Sequence, residues 1–517
     1  MKIFKKIICL GIVAVMLLAS LVSLASCNIG KINTNDTESD AADVTEDTQT
    51  KVETDQFGQE VYNDVTEGLN FNGRTINFLV RSGDQYIREW YVDEPANNLD
   101  QQIFARNTLV QSSLNVRLNY IPQSEGANCK DFYDKVYNTA SSGLGGIDVV
   151  SHFAAYATGE SVLPYYVNWL DSAKLPYISL NRTYWNQNYI SDAEAFGKLY
   201  LCVGDMNLSL YDRCMVVFFN KAKVKDYIKD SSGEAINLYQ LVQSGEWYYE
   251  TFYGMIKDVY EDTGSVAGAR DNTDFYGVTG IKGSEASDAF LYSLGGMLTA
   301  TSAVDGSHAL VTDSEYLKLS NIYSAMIDFW YSAGATMPST SYINYDIFTG
   351  GHALFTVDVV WHYAEGLAKL QSMTDGYGII PMPKYDENQD EYITGVQDAY
   401  NVLSIMDCSE GQDFEMISAV LEKMAFLSYS SVRPYYVENI LMKRNMDYDS
   451  AACFDYVLNG IRWDFADVYC AGIGWVRNAL WRSPFGANAS FETNWESYGK
   501  KNDNLIRTFD TVLISMR

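Results

Sequence analysis

The sequence predicts an α/β fold built on mostly parallel sheets, and three observations carry that prediction. Between residues 71 and 150, strand-like and helix-like hydrophobic patterns alternate at short intervals, as βαβ units require. The chain has 517 residues, of which 47% are hydrophobic and 20% charged. That length allows two large domains or three smaller ones, and the charge is too low for a disordered chain. No internal repeat and no Pro-rich or Gly/Ser-rich linker interrupts residues 71–517.

The elements follow in order. Thr75-Ile76-Asn77-Phe78-Leu79-Val80 reads as a strand that runs into the loop Arg81–Tyr86. Asn98 to Leu114 carries Leu99, Ile103, Leu109 and Val110 at helical spacing. Asn115 to Ile121 alternates around Val116, Leu118 and Tyr120 as a second strand, closed by Pro122. Asp131 to Ala140 is a helix, followed by a Gly-rich turn and the strand Ile147-Asp148-Val149-Val150. Ligands of such sheets bind outside the carboxyl ends of the strands. The loops Arg81–Tyr86 and Ser151–Tyr156 are therefore the predicted sites of ligand contact.

The stretch ahead of this body differs sharply from it in character. Lys2, Lys5 and Lys6 precede an apolar run from Ile7 to Ala19, and Leu24-Ala25-Ser26-Cys27 follows. This pattern resembles a bacterial lipobox, so residues 1–26 are read as a lipoprotein signal peptide. Cys27 would be lipidated, with two acyl chains because one gives only marginal membrane binding. Residues 28–70 hold eleven acidic residues against Lys31 and Lys51. Such a segment cannot bury enough apolar area to offset its ordering entropy, so residues 27–70 are read as an acidic disordered tether.

Charge and composition narrow the partners. Lys+Arg is 37 against Asp+Glu 66, a net charge of −29. Nucleic acid is excluded, since a phosphate backbone needs clustered cations. Tyr alone (39) outnumbers Lys and Arg together, beside 23 Phe and 10 Trp, so rings are available for recognition. Only four His are present. His352, Asp358 and His362 do not share a strand face and make no metal site. Asp262, Gly264, Asp271 and Asp274 miss the spacing of a calcium loop and read as an acidic surface loop. No Gly-x-Ser-x-Gly elbow, His-Glu-x-x-His, Walker loop or Cys-x-x-Cys occurs. No cofactor is expected. Beyond Cys9 and Cys27, six cysteines remain (Cys129, Cys202, Cys214, Cys408, Cys453, Cys470), with no spacing that reads as a disulfide framework.

Five stretches carry a family likeness. They are Gly146–Val150, Met215-Val216-Val217-Phe218-Phe219-Asn220-Lys221, Asn237–Trp247, Gly350–Asp358 and Gly376-Tyr377-Gly378-Ile379-Ile380-Pro381-Met382-Pro383. In this order and spacing, behind a lipobox, the chain resembles the extracellular solute-binding proteins of bacterial ABC importers, the carbohydrate-type group that includes maltose-binding protein. The resemblance implies a two-lobed, type II periplasmic-binding-protein-like fold. Each lobe would be a mostly parallel sheet flanked by helices, and crossing hinge strands would join them. Lobe 1 would span 71–210 plus 384–430, and lobe 2 would span 211–383 plus 431–517.

The same resemblance points to ligand contacts. Trp361 falls on the family's sugar-stacking Trp and Asp358 on a polar residue at the end of the same strand, although Val359-Val360 replaces the usual Gly-Pro. An indole face covers the C–H face of a pyranose while a carboxylate accepts from its hydroxyls. His152, Phe153 and Tyr156 occupy the first-lobe ligand loop. Tyr211, Asp212 and Arg213 precede the crossover strand, and a planar Arg fork suits vicinal hydroxyls or the carboxylate of an acidic sugar. Arg81 and Asp84 lie in the first strand-end loop, and Gln397 and Asp398 follow the second crossover. Trp185, Trp463 and Trp475 are further rings that could stack or fill cores. The expected protein is a monomeric, lipid-anchored, non-enzymatic binder on the outer face of the cell membrane. It would pass a solute, an oligosaccharide by this reading, to ABC permease subunits. A surface glycan hydrolase and a binder of peptides or other polar solutes are the alternatives.

Overall fold

A computed structural model describes residues 64–516, apart from 160, 265–267, 339–342, 362–369, 371–372, 409–410, 438–447, 484 and 487–489. The signal sequence, Cys27, His362 and the acidic segment up to residue 63 lie outside the described residues. Residues 64–70, grouped above with the tether, are folded onto the body. Lys423 pairs with Asp64 at 2.7 Å, and Thr66 is buried beside it.

Two sheets organise the described residues. The first contains β1 (Arg74–Arg81), β2 (Val116–Gln123), β3 (Val149–Phe153) and β12 (Asn401–Ile405), in the order β12-β3-β1-β2. β1 runs parallel to β2 and β3, and β12 returns antiparallel to β3. The second sheet contains β4 (Met215–Asn220), β5 (Tyr260–Glu261), β6 (Phe275–Gly280), β9 (Ala335–Thr336), β10 (Ala353–Val359) and β11 (Tyr377–Pro381). Here β4 lies between β11 and β10, antiparallel to both, while β10, β6 and β9 are parallel. A small hairpin, β7 (Thr299–Thr301) with β8 (His308–Leu310), packs against the C-terminal helix Phe491–Ser515. The α/β class is as the sequence predicts, and lobe 1 and lobe 2 below denote the parts of the chain built on the first and on the second sheet.

Local chemistry explains the ends of the elements. The helix Asn98–Leu114 starts where the Asn97 side chain accepts the Asp100 N–H at 3.0 Å. It stops at Asn115, which takes the left-handed conformation (φ 49°) that Asn tolerates best after Gly. The helix Leu238–Gln243 is capped by Asn237, which accepts from Tyr239 and Gln240. β2 continues through Pro122 to Gln123 instead of closing there. It is an edge strand, so a residue without an N–H costs no ladder bond on its open side. β3 begins two residues later than predicted and runs on through His152 and Phe153. Its antiparallel partner β12, about 250 residues away in sequence, extends the ladder across what local pattern alone reads as a loop.

The crossover strands are buried along their whole length. Every residue of β4, β10 and β11 is buried, as continuous apolar runs in a covered sheet require. A side chain at Gly378 would collide with the Phe219 ring and the Tyr239 hydroxyl, so only glycine lets β11 lie this close to its neighbours. All six described cysteines are buried. Burial raises the Cys129 thiol to about 12 despite the neighbouring Arg81, so these thiols pack as small apolar groups.

One buried carboxylate fixes the outer helix of lobe 1. Glu422, on the helix Phe414–Leu427, accepts from the Tyr184 hydroxyl at 2.5 Å, Trp185 Nε1 at 3.0 Å and the Ser179 N–H at 3.1 Å. Glu422→Ala removes the acceptor that these three donors share and is expected to cost about 3 kcal/mol. Urea unfolding reads this directly. A loss under about 1 kcal/mol would show that the three donors find water instead.

Candidate functional site

Several of the predicted residues gather where the chain crosses between the sheets. Arg213 ends the short helix Leu208–Asp212 and leads into β4. Gln397 lies on the returning segment between β11 and β12, and its N–H donates to the Arg213 carbonyl at 2.9 Å. The two side chains also meet, with Arg213 Nη1 donating to Gln397 Oε1 at 3.1 Å. Gln397 Nε2 in turn donates to Glu285 at the start of the lobe 2 helix Ser284–Ser293.

A column of rings and guanidinium groups extends from this crossing. Arg213 lies 5.2 Å from the centre of the Trp361 ring and 5.6 Å from that of Tyr86. Arg81 lies over Tyr86 too, its guanidinium carbon 3.4 Å from the ring centre. Arg81 also lies 4.3 Å from the centre of Phe153. From there Phe153 meets Tyr156 edge-on at 5.2 Å, and Tyr156 meets Trp475 at 4.9 Å. Phe153, Tyr156, Trp361 and Trp475 are only half-buried, so ring surface is left over for a partner. Trp475 adopts a left-handed backbone (φ 64°). For a bulky residue this is strained, and such strain persists where surrounding structure enforces it, often at ligand sites.

Buried polar groups hold these residues in place. Arg81 pairs with Glu125 at 2.8 Å and donates to the Ala399 carbonyl and to Asn401 Oδ1. Asn401 Nδ2 donates to Glu89 at 2.6 Å, and Glu89 also accepts the Ser209 N–H at 2.8 Å. Asp398 is held by Arg477 at 2.8 Å and Arg482 at 2.9 Å. Burial pushes the Asp398 carboxyl up, but these two arginines outweigh it and keep it below its ordinary value.

Other predicted residues are used by the protein itself. His152 is fully buried in β3, edge-on to Phe132, with Nδ1 donating to the Phe153 carbonyl at 3.0 Å. It belongs to the core of lobe 1 and has no open face for a ligand. Asp358 is also fully buried inside β10, accepting the Val359 N–H at 2.7 Å, with Asn344 at 3.5 Å. Tyr211 donates to Asp205, and Asp212 accepts from Tyr436 with Arg88 at 3.5 Å. Both therefore serve the base of the crossing. Asp84 is exposed at the start of the short helix Asp84–Ile87. Tyr211 also borders a separate cavity of about 260 Å³, lined with Asn186, Asp205, Arg433 and Asn459. Trp185 and Trp463 are core rings.

Sequence reasoning did not single out Gln85, Tyr86 or Glu285, which complete the cluster. Tyr86 and Gln85 were inside a predicted ligand loop but carried no motif. Glu285 had no signal, since only the folded chain brings it to Gln397. In the acidic loop after β5 the carboxylate of Asp274 is buried and turned inward. Asp274 accepts from Thr263, Gly264, Asp271 and Tyr260. Among the described residues no group of His, Cys, Asp and Glu side chains is arranged to hold a metal ion.

No protein-family model and no curated protein matches the chain. Solved structures do. An ABC substrate-binding protein of Listeria monocytogenes in complex with cycloalternan is 12% identical, with a TM-score of 0.47 over 85% of this chain and 99% of that one. The maltose-bound MalE3 of T. maritima is 13% identical, with a TM-score of 0.47 over 86% and 99%. A cyclo/maltodextrin-binding protein complexed with maltotetraose is 10% identical, with a TM-score of 0.49 over 85% and 97%.

Two buried groups titrate in opposite senses beneath this site. Burial raises the Glu89 carboxyl from 4.5 to about 7, although Ser209 and Asn401 donate to it. Between pH 4.5 and 7 the folded chain thus holds a proton the unfolded chain lacks, and stability rises as pH falls. Burial lowers the His152 imidazole from 6.5 to about 3. Below pH 6.5 the unfolded chain takes up a proton that the folded chain refuses, and stability falls with pH. Glu89→Gln removes the first effect and leaves the second. Its melting temperature should therefore drop further between pH 6.5 and 5 than that of the wild type, and an equal drop would overturn the Glu89 assignment.

Proposed function

We propose that this chain is a lipid-anchored, extracellular solute-binding protein that captures an oligosaccharide between its two lobes and hands it to an ABC permease. The observation that carries the reading is the column Arg81–Tyr86–Arg213–Trp361, drawn from lobe 1, the crossing and lobe 2. Half-buried rings offer flat apolar faces for the C–H faces of a sugar, and the arginine and glutamine side chains beside them offer donors and acceptors for its hydroxyls. A ligand touching both lobes favours their closed arrangement, which is a hinge mechanism and needs no chemistry. Phe153, Tyr156, Trp361, Trp475, Arg81, Arg213 and Gln397 are the proposed contacts, with Asp398 bound to Arg477 and Arg482 as a support. The lobes are proposed to span 71–210 plus 384–430 and 211–383 plus 431–517. Cys27 is the proposed lipid attachment point, with residues 1–26 removed as a signal peptide.

A thermal-shift screen of the purified mature chain over an oligosaccharide panel tests the function. A true ligand at 100 times its Kd should stabilise by about 2.7 kcal/mol. Trp361→Ala should weaken that ligand about tenfold, the ~1.4 kcal/mol of one lost stacking face. Unchanged affinity would remove Trp361 from the site. A ligand seated in the cavity beside Tyr211 would respond to Asn186→Ala instead. Release of reducing ends from the same sugars would replace binding by hydrolysis.

A further inference from the structure

We infer that the solute is acidic, and that Arg213 pairs with the carboxylate of a uronate-containing oligosaccharide at the lobe junction. This rests on the binding reading above and gives it a substrate class. Arg213 is only 4% exposed, yet none of its hydrogen-bond partners among the described residues carries a charge. Nη1 donates to Gln397 Oε1 at 3.1 Å, and Nη2 donates to Gln85 Oε1 at 3.1 Å and the Tyr86 hydroxyl at 3.0 Å. Its Nε is buried and has no partner among the described residues.

Buried charges ordinarily find a counter-charge, because leaving one uncompensated is expensive. This protein follows that rule elsewhere. Arg81 is paired with Glu125, Arg433 with Asp205, Arg477 with Asp398 and Asp467, and Arg482 with Asp288. The other buried guanidinium with neutral partners, Arg106, has all three nitrogens engaged and feels the nearby Glu89 charge. Arg213 differs in retaining an unused donor and in lying at the junction, beside the half-buried Trp361 ring.

The surrounding groups are arranged to keep that charge available. Glu285 accepts from Gln397 Nε2, which turns the amide oxygen of Gln397, rather than a carboxylate, toward Arg213. Gln85 and Gln397 are half-buried and neutral, so a ligand anion can displace them without leaving a charge unpaired. An unpartnered guanidinium nitrogen also occurs at the charge-paired Arg81 and Arg477, so what sets Arg213 apart is that it has no carboxylate partner among the described residues. A planar guanidinium matches a carboxylate in shape and charge, whereas a sugar hydroxyl offers only a neutral acceptor.

The test uses pairs of trisaccharides that differ only at C6, carboxylate in one and hydroxymethyl in the other. Pairs in the galacto, gluco and manno series are titrated calorimetrically into the mature chain. In at least one series the acidic trisaccharide is expected to bind tenfold or more tightly than its neutral twin. Arg213→Gln should erase that preference, bringing the acidic trisaccharide down to the affinity of its neutral twin on the same variant, and a preference that survives the substitution overturns the inference. Neutral sugars binding as well as or better than acidic ones overturns the inference and leaves the binding function standing. Binding by no trisaccharide of either kind overturns both. Should Arg213→Gln fail to fold, by circular dichroism, the comparison of twin sugars on the wild-type chain decides alone.

Discussion

The guanidinium of Arg477 is the point on which the arrangement of the lobes depends. It is 1% exposed and meets Asp398 at 2.8 Å, Asp467 at 2.6 Å, the Tyr292 hydroxyl at 2.8 Å and Asp288 at 3.6 Å. Asp288 and Tyr292 lie on the lobe 2 helix Ser284–Ser293, Asp398 on the segment returning to lobe 1, and Asp467 on the helix Phe465–Val468. Arg482 closes the circuit by binding both Asp288 and Asp398. Two cations thus face three carboxylates in a place where water is scarce. Burial, only partly opposed by Arg477, pushes the Asp467 carboxyl up to about 6, and Tyr292 donates to it. The surplus negative charge is thereby placed on the carboxylate most easily protonated. A buried network of this kind specifies geometry strongly when every member is satisfied, and is costly when one is removed.

How much of this was legible beforehand depended on whether the signal was local. The helix Asn98–Leu114 and the strand β1 follow from hydrophobic spacing, and β4, β10 and β11 from stretches that carry the family resemblance; all appear close to their expected bounds. The fate of His152 was not local. Its position after an apolar run suggests a loop, but β12 pairs with it and turns the residue into core. Asp358 fails for a related reason, since a strand-end carboxylate in sequence becomes an interior one once helix and sheet neighbours cover it. Trp361 and Arg213 were legible as candidates through their positions beside the crossover strands. The contacts of Arg213 with Trp361 and with Tyr86 were not, because they join residues more than 100 positions apart.

The same contrast separates the two kinds of aromatic residue. The high ring content is mostly spent on packing. Phe252, Phe290, Phe329 and Trp330 form one continuous cluster in lobe 2, and Trp169, Trp185 and Tyr184 form another in lobe 1. Composition cannot tell these rings from the half-buried Phe153, Tyr156, Trp361 and Trp475. What separates them is their neighbours, since the junction rings lie beside guanidinium groups and each other, with part of each face uncovered. An abundance of aromatics therefore says little until burial divides it.

The geometry of the crossing also explains why recognition and hinge motion would be coupled. Arg213 and Gln397 stand on the two strands of chain that pass between lobes, next to the bridge from Cys214 to Val396. They are joined through both backbone and side chain. Arg81 reaches the same segment through Ala399 and Asn401, and Asn401 reaches Glu89 and Ser209 at the foot of the first crossing. A rotation of one lobe against the other must change φ and ψ near these residues, because hinges concentrate their motion in few positions. A ligand that engaged Arg213 would therefore bond to the hinge itself as well as to both walls. Its binding energy would then depend on the lobe angle directly, so differential affinity for the closed state follows from where the cation is placed.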